Sequence, residues 1–90
     1  MEYGNVIILD VRTLQEFEEG HIDGAILIPI DEIEQLAPEM IPDKSQTILV
    51  YCRVGNRSNR AALILAQMGF TAVYDFGGIN SWPYETRPVL

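Results

Sequence analysis

Residues 47–66 constrain the fold most, because they place the only cysteine of the chain between a strand-like run and a helix-like run. Residues 47–51 are apolar and rich in β-branched side chains, which is typical of a buried strand. Residues 57–68 are rich in Ala and Leu and predict a buried helix, which Gly69 ends as a left-handed C-cap. Cys52 is therefore expected at the carboxyl end of a strand, just before a short loop and a helix.

This position predicts a reactive thiol. The first N–H groups of a helix lack partners within the helix, and together with the helix dipole they favour an anion. A thiolate is such an anion, so the pKa of Cys52 is expected to be lowered. Gly55 permits a positive φ, and successive N–H groups of the loop can form an anion-binding concavity. The pattern predicts nucleophilic catalysis by Cys52 and needs no metal.

The distribution of charge indicates what the site would bind. The net charge of −7 argues against nucleic acid or an anionic membrane as a partner. Three of the six basic residues, Arg53, Arg57 and Arg60, nevertheless follow the cysteine closely, and no acidic residue lies between Lys44 and Asp75. A cationic spot beside the thiol is expected to accept a small anionic substrate.

Chain length and cysteine content set the broad class. Ninety residues predict a single domain over residues 1–90, and no apolar run approaches the roughly 20 residues of a membrane helix. The N-terminus lacks the basic segment of a signal peptide. One cysteine cannot form an internal disulfide, which agrees with a reducing compartment. We therefore expect a cytoplasmic protein.

The rest of the chain alternates strand and helix signals. The further predicted strands are short apolar runs, at residues 6–11, 25–28 and 72–76. A capping box of Thr13 and Glu16 predicts a helix to about residue 18, and Asp31 is expected to cap another over residues 32–36. Residues 21–25, 38–45 and 84–90 are expected to be irregular, the Gly-Gly pair at 77–78 to end the last strand, and residues 79–82 to form one helical turn. This alternation predicts an α/β domain with a mostly parallel sheet.

Several motifs together resemble the rhodanese sulfurtransferase family. The sequence CRVGNRS at 52–58, followed by an Ala/Leu helix, resembles the active-site loop of that family. Upstream, DVR at 10–12, EF at 16–17, GHIDGA at 20–25 and Ile-Pro at 28–29 resemble the family pattern, as do Gly-Gly at 77–78 and Trp82 downstream. The resemblance implies a small three-layer rhodanese-like domain, a central sheet flanked by helices. Only nine residues precede Asp10, whereas members often have a further strand and helix there.

The resemblance also implies a function and a set of site residues. Cys52 would accept a sulfane sulfur from a donor such as thiosulfate and pass it, as a persulfide, to cyanide or a cellular thiol. The residues implied in substrate binding are those that follow it, Arg53, Val54, Gly55, Asn56, Arg57 and Ser58. Asp10 and Arg12 would support the site, either as a plain ion pair or through substrate contact. His21 would be structural, and no cofactor is implied.

The sequence is also compatible with two other classes of function. A phosphatase or arsenate reductase with a related loop typically places Arg six residues after Cys, whereas Ser58 holds that position here and Arg57 is one earlier. A persulfide carrier or interaction module that hands sulfur to a protein partner would need the same cysteine and loop. The acidic residues Glu16, Glu18 and Glu19 are interpreted as a solvated helix face.

Overall fold

In the computed structural model, which describes residues 6–79 and 86–87, strands and helices alternate along the chain. The strands are, in order, β1 (Val6–Asp10), β2 (His21–Ile22), β3 (Ile26–Leu27), β4 (Thr47–Cys52), β5 (Val73–Gly78) and β6 (Thr86–Arg87). The helices are α1 (Leu14–Glu19), α2 (Ile33–Met40) after a 3-10 turn over Ile30–Glu32, and α3 (Asn56–Gln67). The predicted α/β class is confirmed.

The main sheet brings Cys52 to the carboxyl edge of parallel strands. Its strand order is β3-β1-β4-β5, and each neighbouring pair is parallel. Asp10 at the end of β1 lies opposite Tyr51, and Cys52 lies opposite Gly78 at the end of β5. Ligands of open parallel sheets bind outside this edge. The sheet therefore presents Cys52 where a substrate would approach.

The two faces of the sheet bury different sets of side chains, because side chains alternate along a strand. On one face, Leu9, Val50 and Cys52 pack in a cluster with residues of α2 and α3. On the other face, Ile8 and Tyr51 form a smaller cluster with Ile22 of β2. Helix α1 contacts β2 there, through the stacked rings of Phe17 and His21. Cys52 therefore faces α3, and its neighbour Tyr51 faces away from it.

Two segments that the sequence predicts to be irregular form a short antiparallel ribbon. Residues His21 and Ile22 of β2 pair with Arg87 and Thr86 of β6. The expectation of a loop at 21–25 and of an irregular tail at 84–90 is therefore wrong at these positions. The two strands are far apart in the sequence, so no local pattern indicates that they pair.

The helix predicted at 32–36 is longer and begins differently. It runs from Ile33 to Met40 with Pro38 inside it, and Asp31 lies in the preceding 3-10 turn instead of capping it. Proline inside a helix costs about 3 kcal/mol. Ile33, Ala37 and Ile41 are fully buried, and burial of large apolar side chains contributes about 1.5–3 kcal/mol each. Packing thus outweighs the local signal.

The other boundaries differ by smaller amounts. The strand predicted at 25–28 is confined to β3, and α3 begins one residue earlier than expected. β5 continues through Gly77 and Gly78, and after a register shift between Val50 and Cys52 it is Gly78 that pairs with Cys52 of β4. The capping box of Thr13 and the left-handed Gly69 are confirmed. The expected turn at 79–82, including Trp82, falls almost wholly outside the described residues.

None of the described helices is long and apolar enough to cross a membrane.

Candidate active site around Cys52

The sulfur of Cys52 is buried and surrounded by backbone donors. Its side chain is a free thiol, and the residue is only 1% exposed. The chain turns into α3 at Gly55, which has φ +106°, in the region that favours glycine. This turn directs the Gly55 N–H at Sγ, with 2.9 Å between nitrogen and sulfur. Gly55 provides no side-chain cap for α3, and the sulfur accepts the Ser58 N–H, which a capping side chain would otherwise bind.

The surroundings of Cys52 favour the thiolate. Burial by itself raises the pKa of the thiol. Hydrogen bonds from the Ser58 hydroxyl and from the backbone N–H groups of Ser58, Gly55 and Val54 outweigh that effect, so the pKa is lowered overall. A thiolate is the nucleophilic form of cysteine, and this site increases its population near neutral pH.

Ser58 connects the sulfur to two backbone carbonyls. It is fully buried, with its Oγ 3.5 Å from Sγ, 3.1 Å from the Gly55 oxygen and 3.3 Å from the Gly77 oxygen. A hydroxyl has one hydrogen to donate, so it can donate to a carbonyl beside a neutral thiol or to the sulfur of a thiolate. Ser58 can therefore follow the change of charge on Cys52 without moving its own backbone.

Arg57 is not the free cation that the sequence suggests. Its guanidinium donates from Nη1 to Oε1 of Glu16 at 2.7 Å and from Nη2 to Oε2 at 2.9 Å. The hydrogen bonds from Arg57 are the main cause that lowers the pKa of Glu16 to about 2. Reading Glu16 as part of a solvated helix face is therefore wrong. The carboxylate comes from α1, which is remote in sequence from the loop.

The remaining loop residues line the outer side of the site. Arg53, Val54 and Asn56 are exposed, Val54 by 67%. Within the described part of the chain, Arg53 pairs with no carboxylate. Arg53, the residue that follows Cys52, thus keeps its charge exposed and unpaired in this part of the chain, in contrast to Arg57.

Asp10 and Arg12 form a buried ion pair on the other face of the sheet. Arg12 donates from Nη2 to Oδ2 of Asp10 at 2.7 Å and to the Gly20 carbonyl at 2.7 Å. The Tyr51 hydroxyl donates to Asp10 at 2.7 Å and accepts the Ile22 N–H at 3.1 Å. Burial is the main cause that raises the pKa of Tyr51. Of the two roles expected for Asp10 and Arg12, the structure shows the ion pair. Together with Tyr51 it connects the sheet to Gly20 and to Ile22 of β2.

The sequence does not single out three contributors to the site and its support: Glu16, Tyr51 and the carbonyl of Gly77. The capping box indicates only that Glu16 lies at the start of a helix. A tyrosine inside an apolar strand indicates only that its hydroxyl needs a hydrogen-bond partner when it is buried.

His21 is half-buried, with its Nδ1 2.9 Å from the Phe17 carbonyl oxygen. Among the described residues, no group of three or more His, Cys, Asp or Glu side chains is arranged to hold a metal ion.

Comparison with known proteins shows the family to which the chain belongs. The family model described as a rhodanese-like domain matches residues 1–85. Thiosulfate sulfurtransferase PspE of Escherichia coli is 39% identical over 72 residues, which cover 80% of this chain and 69% of that protein. The putative sulfur carrier protein YrkF of Bacillus subtilis is 36% identical over 81 residues, which cover 89% of this chain but only 43% of YrkF.

Solved structures agree with the sequence comparison. A structure described as rhodanese with anions from E. coli superimposes with a TM-score of 0.87 at 34% identity, covering 92% of this chain and 98% of that one. The Rhodanese_3-like domain of the Anabaena protein Alr3790 gives a TM-score of 0.81 at 33% identity, covering 86% and 88%. By sequence and by fold, this chain belongs to the rhodanese-like domain family.

Proposed function

We propose that this protein is a sulfurtransferase that carries a sulfane sulfur as a persulfide on Cys52. The observation that supports the proposal most directly is the Gly55 N–H, 2.9 Å from Sγ in a pocket with the Ser58 hydroxyl. These donors favour a negative sulfur, which is needed both for attack and for holding a persulfide anion. PspE, to which the chain is similar, is named a thiosulfate sulfurtransferase.

The first half of the proposed cycle loads the cysteine. The Cys52 thiolate attacks the outer sulfur of thiosulfate, a new S–S bond forms, and the S–S bond of thiosulfate breaks. Sulfite leaves with the electron pair of the broken bond, and Cys52 holds a persulfide anion. The exposed Arg53 beside the loop would attract the doubly charged donor.

The second half transfers the outer sulfur. Cyanide or a thiolate attacks it, the persulfide S–S bond breaks, and its electron pair returns to Sγ as thiolate. With cyanide the product is thiocyanate. The sequence contains no second cysteine that could resolve the persulfide into an internal disulfide, so the acceptor is external and ping-pong kinetics are expected. A free thiol in this role fits a reducing cytoplasm.

Intact-protein mass spectrometry tests the loading step. After incubation with thiosulfate, the wild-type mass should increase by one sulfur atom, and cyanide or dithiothreitol should remove it. Cys52→Ser is the matched control and should never gain the sulfur. A folded wild-type protein whose mass stays unchanged with thiosulfate and other sulfane donors would overturn the proposal.

A relay role is the second candidate, supported by the similarity to the putative sulfur carrier YrkF. The loading step would be the same, but the acceptor would be a thiol on a protein partner. The relay would be favoured if cyanide and small thiols removed the added sulfur only slowly. The rate of thiocyanate formation would then lie below the roughly 1–10³ per second that is typical of enzyme turnover.

Phosphoryl transfer is less well supported than sulfur transfer. Only three residues, Arg53 to Gly55, separate β4 from α3, and Arg57 is already paired with Glu16. An enzyme that cleaves phosphate esters needs free cations around a tetrahedral oxyanion. Hydrolysis of a chromogenic aryl phosphate by the wild type, but not by Cys52→Ser, would favour this class instead.

A further inference from the structure

The end of β5 lies directly against the backbone of the loop that follows Cys52. A Cβ atom added to Gly78 would collide with the Arg53 carbonyl oxygen and would lie 2.8 Å from the Val54 Cα and 2.9 Å from the Arg53 carbonyl carbon. All three are backbone atoms, so no side-chain rotation could relieve the collision. A residue larger than glycine at 78 therefore requires the loop to move.

The neighbouring Gly77 contacts the same loop at a second place. Its carbonyl oxygen is 3.3 Å from the Ser58 Oγ, and its Cα is 3.8 Å from the position a Cβ would take on Gly55. Gly77 has φ +93°, and its N–H donates to Oδ1 of Asp75 at 2.8 Å. The strand end thus contacts the loop at Gly55 and Ser58, two of the three residues that donate to the sulfur.

We propose that Gly78 is a positioning residue for Cys52: its missing side chain lets the loop lie against β5, which places the Gly55 N–H on Sγ. This inference rests on the proposed function, because a displaced loop would weaken the anion pocket that the sulfur chemistry uses. The register agrees with it, since Cys52 and Gly78 are paired across β4 and β5 at the shifted position.

The close approach at Gly78 differs from the surroundings of other glycines. At Gly24, Gly69 and Gly77 an added Cβ would meet nothing within 4 Å. These three have positive φ values, so an Ala there costs backbone strain without a collision. Gly69 lies at the far end of α3 from Cys52 and provides a matched control.

The experiment measures the thiolate directly, with the rate of iodoacetamide alkylation followed against pH. Gly78→Ala should move the midpoint of the profile upward by about one pH unit and slow alkylation at neutral pH about tenfold, because the Gly55 N–H no longer reaches the sulfur. Gly69→Ala should leave the profile unchanged while lowering the midpoint of thermal unfolding. A merely structural role of Gly78 would lower stability and leave the profile in place.

The outcomes separate this inference from the proposed function. A folded Gly78→Ala variant with the wild-type alkylation profile overturns the inference, even if the wild type forms the persulfide. A shifted profile in the variant, together with a wild type that never gains sulfur, supports the positioning role and refutes the sulfurtransferase.

A second variant and a wild-type measurement keep the test decisive if Gly78→Ala does not fold. Adding Val54→Gly gives the loop backbone more freedom to move away from the strand. In a double variant that folds, the profile should stay shifted, and a wild-type profile there contradicts the proposal. In the wild type, a nuclear Overhauser contact between the α-protons of Gly78 and Val54 is expected, and its absence also overturns the proposal.

Discussion

The guanidinium of Arg57 and the carboxylate of Glu16 are joined by two hydrogen bonds of 2.7 and 2.9 Å. The same carboxylate accepts the Thr13 N–H at 3.0 Å in the capping box of α1. One side chain therefore both starts a helix and pairs with Arg57, next to the loop that follows Cys52. Because Arg57 is engaged, Arg53 is the arginine of the loop between Cys52 and α3 that has no carboxylate partner among the described residues.

The pairing predicts a loss of stability in acid. The pKa of Glu16 is lowered from its ordinary 4.5 to about 2, mainly by the hydrogen bonds from Arg57. Its contribution to stability is fully present above about pH 4.5 and is lost as the pH falls toward 2, on the order of 1–2 kcal/mol after solvent screening. Urea unfolding between pH 2 and 6 should show this slope in the wild type and a weaker one in Glu16→Gln. Glu18→Gln, an exposed change on the same helix, should keep the wild-type slope; if Glu16→Gln keeps it as well, the pair contributes nothing.

Arg53 is expected to contribute to capture of an anionic donor. Arg53→Ala should raise the KM for thiosulfate about three- to tenfold and leave kcat nearly unchanged, since the charge acts mainly on the approach of the donor. Raising the salt concentration should weaken capture in the wild type more than in the variant. Steady-state kinetics at two salt concentrations measures both effects. Lys44→Gln removes the same charge beside Phe70, and a similar rise in KM there would assign the effect to net charge alone.

Arg57→Ala is expected to raise the KM as well, but for an indirect reason. Removing the guanidinium leaves the Glu16 carboxylate unpaired near the thiol and makes the site more negative. The double variant Glu16→Gln/Arg57→Ala should recover much of the lost donor binding. Failure of the double variant to recover binding would show that Arg57 itself holds the donor. The KM values of Glu16→Gln, Arg57→Ala and the double variant, compared with the wild type, form a double-mutant cycle.

Ser58→Ala should make Cys52 a weaker nucleophile near neutral pH. Burial raises the pKa of the thiol, and among the hydrogen bonds that lower this pKa the one from the Ser58 hydroxyl has the largest effect. Its loss should raise the midpoint of alkylation and slow alkylation at pH 7 by about three- to tenfold. Ser45→Ala, in the exposed turn with Asp43, is the control and should leave the midpoint unchanged. An unchanged midpoint in Ser58→Ala would leave the backbone N–H groups as the cause of the low pKa.

Tyr51→Phe should lower stability without altering the thiol. The change leaves the buried Asp10 carboxylate without one donor and the Ile22 N–H without its acceptor, at a cost of about 1–3 kcal/mol. Tyr51 faces away from Cys52, so the alkylation profile should stay in place. Urea unfolding measures the first effect, with Tyr74→Phe as an exposed control. A shifted alkylation profile would show that the two faces of the sheet are coupled.

The parallel sheet, the position of Cys52 at a strand end and the family can all be predicted from the sequence. Those features are local or periodic: an apolar strand-length run, a glycine that permits a left-handed turn, a capping box and a run of motifs in order. Each of these features depends on interactions between residues that are close in the sequence, so it can be predicted from the sequence. The lowered pKa of Cys52 follows in the same way from its place before the N-terminus of α3.

The contacts that reach Cys52 and its loop from elsewhere in the chain become visible only in the folded protein. Three such contacts join residues more than twenty positions apart. Glu16 pairs with Arg57, the Tyr51 hydroxyl donates to Asp10, and Gly78 lies against the backbone of Arg53. The helix containing Pro38 and the ribbon of β2 and β6 are likewise products of packing and of pairing between distant segments. Such contacts depend on which faces of the elements the fold brings together. The sequence around a residue contains no local or periodic pattern that identifies a partner from a distant segment.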